Sequence, residues 1–337
     1  MENETSISIP KFNTSPSKPS NLKTQLIVVA LFLIPFAVFL LTYFQIDRQN
    51  REKNNDLTNK KIFPEMDIEA KGAYVLDVEN QKVIYAKNEK AQLPLASITK
   101  VMSALVAMDE KKSFEKIKIT SDSIKQEGDN GLKNEEVWTL KDLIDFSLIT
   151  SSNDGMYAIA SAVGSYLKEK NTLMESVDEQ TIEVLNEKPN WHFIDLMNKK
   201  AKDIGLEKTL YLNETGLDFS DNESGGYGSA EDMAKLFVYV IKNNPEALEA
   251  TAYREIELVS LDKIIHNAQN TNEIIEMIPN LIASKTGYTD ISGGNLVVAF
   301  DPGLMKSIVI SILGSTREGR FEDMKKLIET TVEYLKE

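Results

Sequence analysis

The chain has 337 residues, 42% hydrophobic and 27% charged, which excludes a wholly disordered polypeptide and leaves room for a sizeable core. A net charge of −14 repels phosphate backbones and argues against nucleic-acid binding. With no cysteine and only His192 and His266, disulfides, thiolate metal sites and cysteine nucleophiles are excluded, and a histidine-rich metal centre is disfavoured.

Residues 1–25 are polar and rich in Ser, Pro and Asn, a short disordered tail. Residues 26–44 then run without a charge for 19 positions. As a helix they would span roughly 28 Å, close to the ~30 Å of a bilayer's hydrocarbon core, which predicts a single N-terminal transmembrane anchor. A cleaved signal peptide is the competing reading, but the run exceeds the usual apolar length and no small-residue cleavage site follows it. Lys11, Lys18 and Lys23 precede the run and Arg48, Arg51 and Lys53 follow it, so flanking charge does not set the orientation. Residues 45–66 are a polar linker, and 67–337 form the working domain.

Within that domain, residues 73–78 and 82–87 are β-prone runs around Glu79-Asn80-Gln81, predicting a hairpin. Apolar residues then recur at helical spacing after Pro94 (Ile98, Val101, Leu105, Met108), and helical patterns continue through 140–168, 191–204 and 229–243. The acidic stretch 171–190 reads as a solvated inter-helix loop rather than a lid, and 216–228 as a Gly/Ser/Asp/Asn loop. Strand patterns return at 281–284, 295–300 and 307–313, and a helix over 321–335 follows. Strands at both ends with helices between predict an α+β fold: an antiparallel sheet from both ends of the chain, with a helical region inserted and a cleft where the two meet.

Ser97-Ile98-Thr99-Lys100 places a hydroxyl and an amine on one helix face, where a desolvated lysine can serve as base to a serine nucleophile. Seven S-x-x-K matches occur, and most such matches are helix caps beside solvated lysines. Ser97 alone opens a strongly apolar helix that would bury its lysine in the middle of the domain. Two serine-x-asparagine triplets follow. Ser151-Ser152-Asn153 lies between helical runs, whereas Ser220-Asp221-Asn222 lies in the polar loop and reads as a turn, so the first is preferred. Lys285-Thr286-Gly287 occurs once, at a strand end, with Tyr288 after it; a cationic strand with a glycine lets a peptide backbone approach and pair.

Serine–lysine, S-x-N and K-T-G in this order are the signature of penicillin-binding proteins and serine β-lactamases. The chain resembles the serine D-Ala-D-Ala carboxypeptidases, the low-molecular-mass penicillin-binding proteins of peptidase family S11. The blocks Leu95 to Met102, Ser151 to Gly155, Asn213-Glu214-Thr215-Gly216-Leu217, Ser229 to Ala234, Asn270-Thr271-Asn272, Lys285 to Thr289 and Gly293 to Val297 carry the likeness, over about residues 66 to 335. It implies a β-lactamase/transpeptidase-like fold and an acyl-enzyme on Ser97, formed at a terminal D-Ala-D-Ala bond. Lys100 would take the Ser97 proton and be kept neutral by the nearby Lys285. Ser151 would relay a proton to the leaving D-alanine, Asn153 would hold the peptide amide, and the backbone N–H groups of Ser97 and Tyr288 would form the oxyanion hole. Lys285, Thr286 and Gly287 would bind the substrate's end. Arg320, or failing it Arg317, would assist with its carboxylate. No metal or organic cofactor is implied. The partners implied are peptidoglycan stem peptides ending in D-Ala-D-Ala, β-lactams as inhibitors, and the membrane through the anchor, with the domain outside the cytoplasm of a bacterium.

The sequence departs from the family pattern at Glu231, where arginine is common, which puts carboxylate positioning in question. Many members also carry a C-terminal β domain and amphipathic helix; the N-terminal anchor would stand in for that attachment. A serine β-lactamase is the nearest alternative, but Glu183-Val184-Leu185-Asn186 is one residue too short for its E-x-x-L-N block. A non-catalytic penicillin-binding-like module is the other, against which all three motifs stand intact. An acidic domain acting on anionic envelope polymers would rely on a locally cationic cleft around Lys100 and Lys285.

Overall fold

The computed structural model describes residues 41–48, 62–110, 116–128, 131–169, 190–303 and 306–336. The chain divides into two units, Met1–Ile62 and Phe63–Glu337. In the first, residues 41–48 are helical. Residues 26–40 of the expected anchor lie outside the described residues, and among those described no helix is long and apolar enough to cross a membrane.

The second unit is built on a five-stranded antiparallel sheet. Its strands are β1 (Gly72–Asp77), β2 (Lys82–Lys87), β3 (Leu281–Thr289), β4 (Gly293–Phe300) and β5 (Ile308–Ser315), in the order β3-β4-β5-β1-β2. The predicted N-terminal hairpin therefore pairs beside the C-terminal strands, with Gly72 opposite Leu313 and Asp77 opposite Ile308. Period-two alternation divides the sheet's side chains between two cores. Leu296, Val298, Phe300, Ile308, Ile310 and Ile312 point to one face, where Phe321, Met324, Leu327 and Ile328 of the last helix, α6 (Gly319–Lys336), cover them. Val297, Ala299, Val309 and Leu313 point to the other face, into the core of the inserted helices.

Those helices are α1 (Thr99–Asp109), α2 (Leu140–Ile149), α3 (Asn153–Glu169), α4 (Trp191–Asp203) and α5 (Ala230–Asn243). Every residue of α1 from Thr99 to Met108 is buried, the mark of a helix surrounded by protein rather than lying on its surface. As expected from the triplet between helical runs, the helical stretch 140–168 is two helices broken at residues 150–152. Ser151 there adopts a left-handed φ of 61°, which a helix cannot absorb. Of the acidic stretch 171–190, only Asn190 lies among the described residues.

Two elements differ from expectation. The K-T-G triplet is inside β3 rather than after it, since the strand runs nine residues to Thr289. A hairpin of Glu255–Val259 and Ile265–Gln269 was not anticipated.

Candidate active site

Ser97 sits in a 3-10 turn, Ala96–Ile98, that leads directly into α1. Ala96 is held at φ 46°, a left-handed conformation costly for a residue with a Cβ, and the turn is fixed from both sides. Leu95 N–H donates to the Gly226 carbonyl at 2.9 Å. Gly216, at φ 78°, packs so closely that a Cβ there would run into the Ala96 carbonyl oxygen. On the strand side, a Cβ on Gly287 would lie 2.9 Å from the Leu95 carbonyl oxygen and 3.2 Å from Ser97 N. Glycine at 287 thus lets β3 lie against the serine turn.

Three residues after Ser97, at the start of α1, the fully buried Lys100 places its Nζ 2.8 Å from Ser97 Oγ and donates to the Thr215 carbonyl, also at 2.8 Å. Burial brings this amine down to about 7, opposed by the neighbouring Glu214 carboxyl. Burial, and not repulsion from Lys285 as the sequence implies, is therefore the leading cause of a neutral Lys100. The repulsion registers at Lys285 instead, which is pushed well below its ordinary value first by burial, then by Lys100 and Arg320.

Lys285 Nζ donates to Ser151 Oγ at 3.0 Å and to the Thr286 carbonyl at 2.9 Å. The left-handed turn at Ser151 thus aims its hydroxyl at the Lys285 amine of β3. Asn153 Nδ2 donates to the Glu127 carbonyl at 2.6 Å, while Asn153 Oδ1 is buried without a partner. Thr286 Oγ1 shares a hydrogen bond with Thr271 Oγ1 at 2.5 Å. Arg320 is buried behind the strand, its Nη1 donating to the Gly287 carbonyl at 2.8 Å. Arg317 lies over the Tyr288 ring, 5.3 Å from its centroid.

A cleft of about 920 Å³ opens over Ser97, with Asn153 and Tyr288 among its lining. Its rim is not cationic as expected: Glu127, Asp218, Asp221 and Asp290 line it, and the lysines lie beneath. The second triplet, Ser220 to Asn222, lines the opposite lip. Its Asn222 N–H donates to Ser220 Oγ at 3.3 Å, the turn the sequence suggests. Glu231 starts α5, paired with Lys235 at 3.0 Å, and takes no part in lining the cleft. Among the described residues no three histidines or carboxylates converge as metal ligands. Sequence reasoning quoted Glu214 and Thr271 only as members of blocks; the structure puts them against Lys100 and Thr286.

A family model described as D-alanyl-D-alanine carboxypeptidase matches residues 58–180 and 188–316. The chain is 28% identical over 267 residues to the D-alanyl-D-alanine carboxypeptidase DacF of Bacillus subtilis, covering 77% of this chain and 61% of that one. It thus spans about three fifths of that curated relative's length. Among solved structures, a D-alanyl-D-alanine carboxypeptidase from Mycobacterium tuberculosis shares its fold with a TM-score of 0.64 at 24% identity, covering 80% of this chain and 92% of that one. Penicillin-binding protein D2 from Listeria monocytogenes in its ampicillin-bound form does so with a TM-score of 0.61 at 24% identity, over 79% and 98%.

Proposed function

The chain belongs to the D-alanyl-D-alanine carboxypeptidase family, peptidase S11, and from that premise we propose that it removes the terminal D-alanine of peptidoglycan stem peptides. The observation that carries this reading is the pair of contacts at the cleft floor, Ser97 to Lys100 and Ser151 to Lys285. Neutral Lys100 takes the Ser97 proton as Oγ attacks the carbonyl carbon of the penultimate D-alanine. The oxyanion is met by the backbone N–H groups of Ser97 and Tyr288, a contribution of roughly 3–4 kcal/mol for each such donor. Ser151 passes a proton to the departing amine, and D-alanine leaves with the C–N bond broken. Water then attacks the ester, with Lys100 again as base, and restores Ser97. Asn153 Oδ1 accepts from a substrate amide. Lys285 and Thr286 offer hydrogen-bond donors to the terminal carboxylate, and Arg320 behind the strand supplies positive potential.

β-Lactams, which present a strained amide and a carboxylate to the same groups, would acylate Ser97 and block it. The same reading gives residues 1–25 as a tail, 26–44 as a membrane anchor, 45–66 as a linker and 67–337 as the peptidase domain, facing the cell-wall side of a bacterial membrane. A fractionation of cells under a high-salt wash tests the anchor: release of the protein into the soluble fraction would refute it.

Intact-mass spectrometry of the full chain after adding benzylpenicillin tests the chemistry. A persistent adduct on the peptide that contains Ser97, absent from Ser97→Ala with its circular dichroism unchanged, is the expected result. An adduct that clears within seconds while the drug is consumed would make the protein a β-lactamase instead. Release of D-alanine by Ser97→Ala would remove this serine from the reaction.

A further inference from the structure

Glu214 has no part in the reaction above, yet it is buried, and it directly precedes the residue whose carbonyl holds the general base. Its backbone is clamped by α1 twice. The Glu214 carbonyl accepts from Ser103 Oγ at 2.7 Å, and the next carbonyl, that of Thr215, accepts from Lys100 Nζ. The side chain is fixed from the other side, where Asn190 Nδ2 donates to Glu214 Oε1 at 3.1 Å and Asn190 Oδ1 accepts from Ser161 Oγ at 2.8 Å. The ionisable groups that face this carboxyl are Lys100 from α1 and Tyr157 from α3; Asn190 and Ser161 are neutral. Burial raises the carboxyl's proton affinity and outweighs the backbone hydrogen bond, the Asn190 amide and the charge of Lys100, which lower it. Lys100 is the only cation in that set, so the charge states of the two groups are coupled; Lys100 is itself also faced by Lys285 from β3, whose proton affinity it lowers.

We propose that Glu214 is a positioning residue whose carboxyl, anchored by Asn190, sets the fraction of Lys100 present as free amine and hence the pH below which Ser97 stops being acylated. A carboxylate there favours the ammonium form and holds the base in reserve; a neutral group in its place releases it. The inference rests on the reading of Lys100 as the base for Ser97.

The test is the initial rate of acylation of the full chain by a fluorescent penicillin, measured from pH 5 to 9 for wild type and Glu214→Gln. Glutamine keeps the size and the contact to Asn190 but carries no charge. The acidic limb of the variant is expected to move down by about one pH unit, so that acylation at pH 6 quickens about fivefold. Asn190→Gly provides a second route. Asn190 has a left-handed φ of 61° that glycine accepts, and α4 takes no side-chain cap from it. Loss of its amide weakens the carboxylate and is expected to move the limb in the same direction by a smaller amount. A Glu214→Gln profile that superimposes on wild type, or falls by one factor at every pH, overturns the proposal and leaves a structural role only. If Glu214→Gln does not fold, the Asn190→Gly limb decides by the same criterion. Failure of the wild type itself to be acylated at any pH would sink the underlying reaction, a result distinct from an unmoved limb.

Discussion

Lys100 is enclosed by protein on every side, and its environment offers the amine a serine hydroxyl, a carbonyl and the neighbouring Glu214 carboxyl, itself held by Asn190, rather than a direct ion pair. For a buried lysine this is the arrangement that favours loss of the proton. The sign of the pH dependence follows. Protonated Lys100 cannot accept from Ser97, so acylation is expected to fall as pH drops through about 7, by about tenfold per unit below it. Acylation rates between pH 5 and 9 check this, and a rate constant across that range would show that Lys100 is not the base. Ser97, Lys100 and Lys285 were legible in the sequence because each sits in a short motif whose neighbours are apolar or β-prone. Glu214 was not. Nothing within a few positions of it signals burial, and its role arises only when the 213–217 loop folds onto α1.

At the scale of elements, β3 and the turn before α1 meet across Gly287, and this contact sets the width of the cleft floor. Gly287→Ala is expected to push the strand off the Leu95 carbonyl by a few tenths of an ångström. Because positioning errors of that order are felt strongly in catalysis, a loss of at least about tenfold in acylation rate should accompany an unchanged fold. Stopped-flow acylation beside circular dichroism is the check. On α2, Asp145 is buried and pairs with Lys141 one turn earlier. Burial outweighs the pair and pushes its carboxyl up to about 6. The folded state therefore holds this proton more tightly than the unfolded chain does. The stability so favoured is present in full below about pH 4 and is lost as pH rises through about 6. Asp145→Asn is expected to stabilise the domain at pH 8, with ~3 kcal/mol as an upper bound, and to flatten its stability between pH 4 and 7. Urea unfolding at pH 4 and pH 8 measures both. The Glu255–Val259 and Ile265–Gln269 hairpin escaped sequence reading for a physical reason. Ile256, Leu258, His266 and Ala268 form its inward face and Glu255, Glu257, Asn267 and Gln269 its outward one, an alternation only five residues long in each strand and broken in its apolar character by His266, which contacts Glu136 at 2.7 Å.

For the whole molecule, the division at residue 62 separates the peptidase-like domain from everything before it. A chain beginning at residue 63 is expected to melt as the full protein does and to be acylated at the same rate, since every residue of the site described lies after it. Differential scanning calorimetry and the penicillin assay test this, and a domain that fails to fold alone would refute it. The α+β architecture was legible because the order of strand pair, helices, strands and helix survives in the pattern of apolar spacing.

The sheet is closed by its own ends: Gly72 meets Leu313 only after nearly all of the domain has been made. During synthesis, β1 and β2 emerge first and have no partner strand but each other, a hairpin too small to persist alone. The K-T-G strand and its neighbours leave the ribosome much later, so a growing chain carries Ser97 and Lys100 long before it carries the Lys285 amine that completes their cleft. Until β5 is released the sheet cannot close, so the cleft in which we propose the reaction takes its shape only late in synthesis.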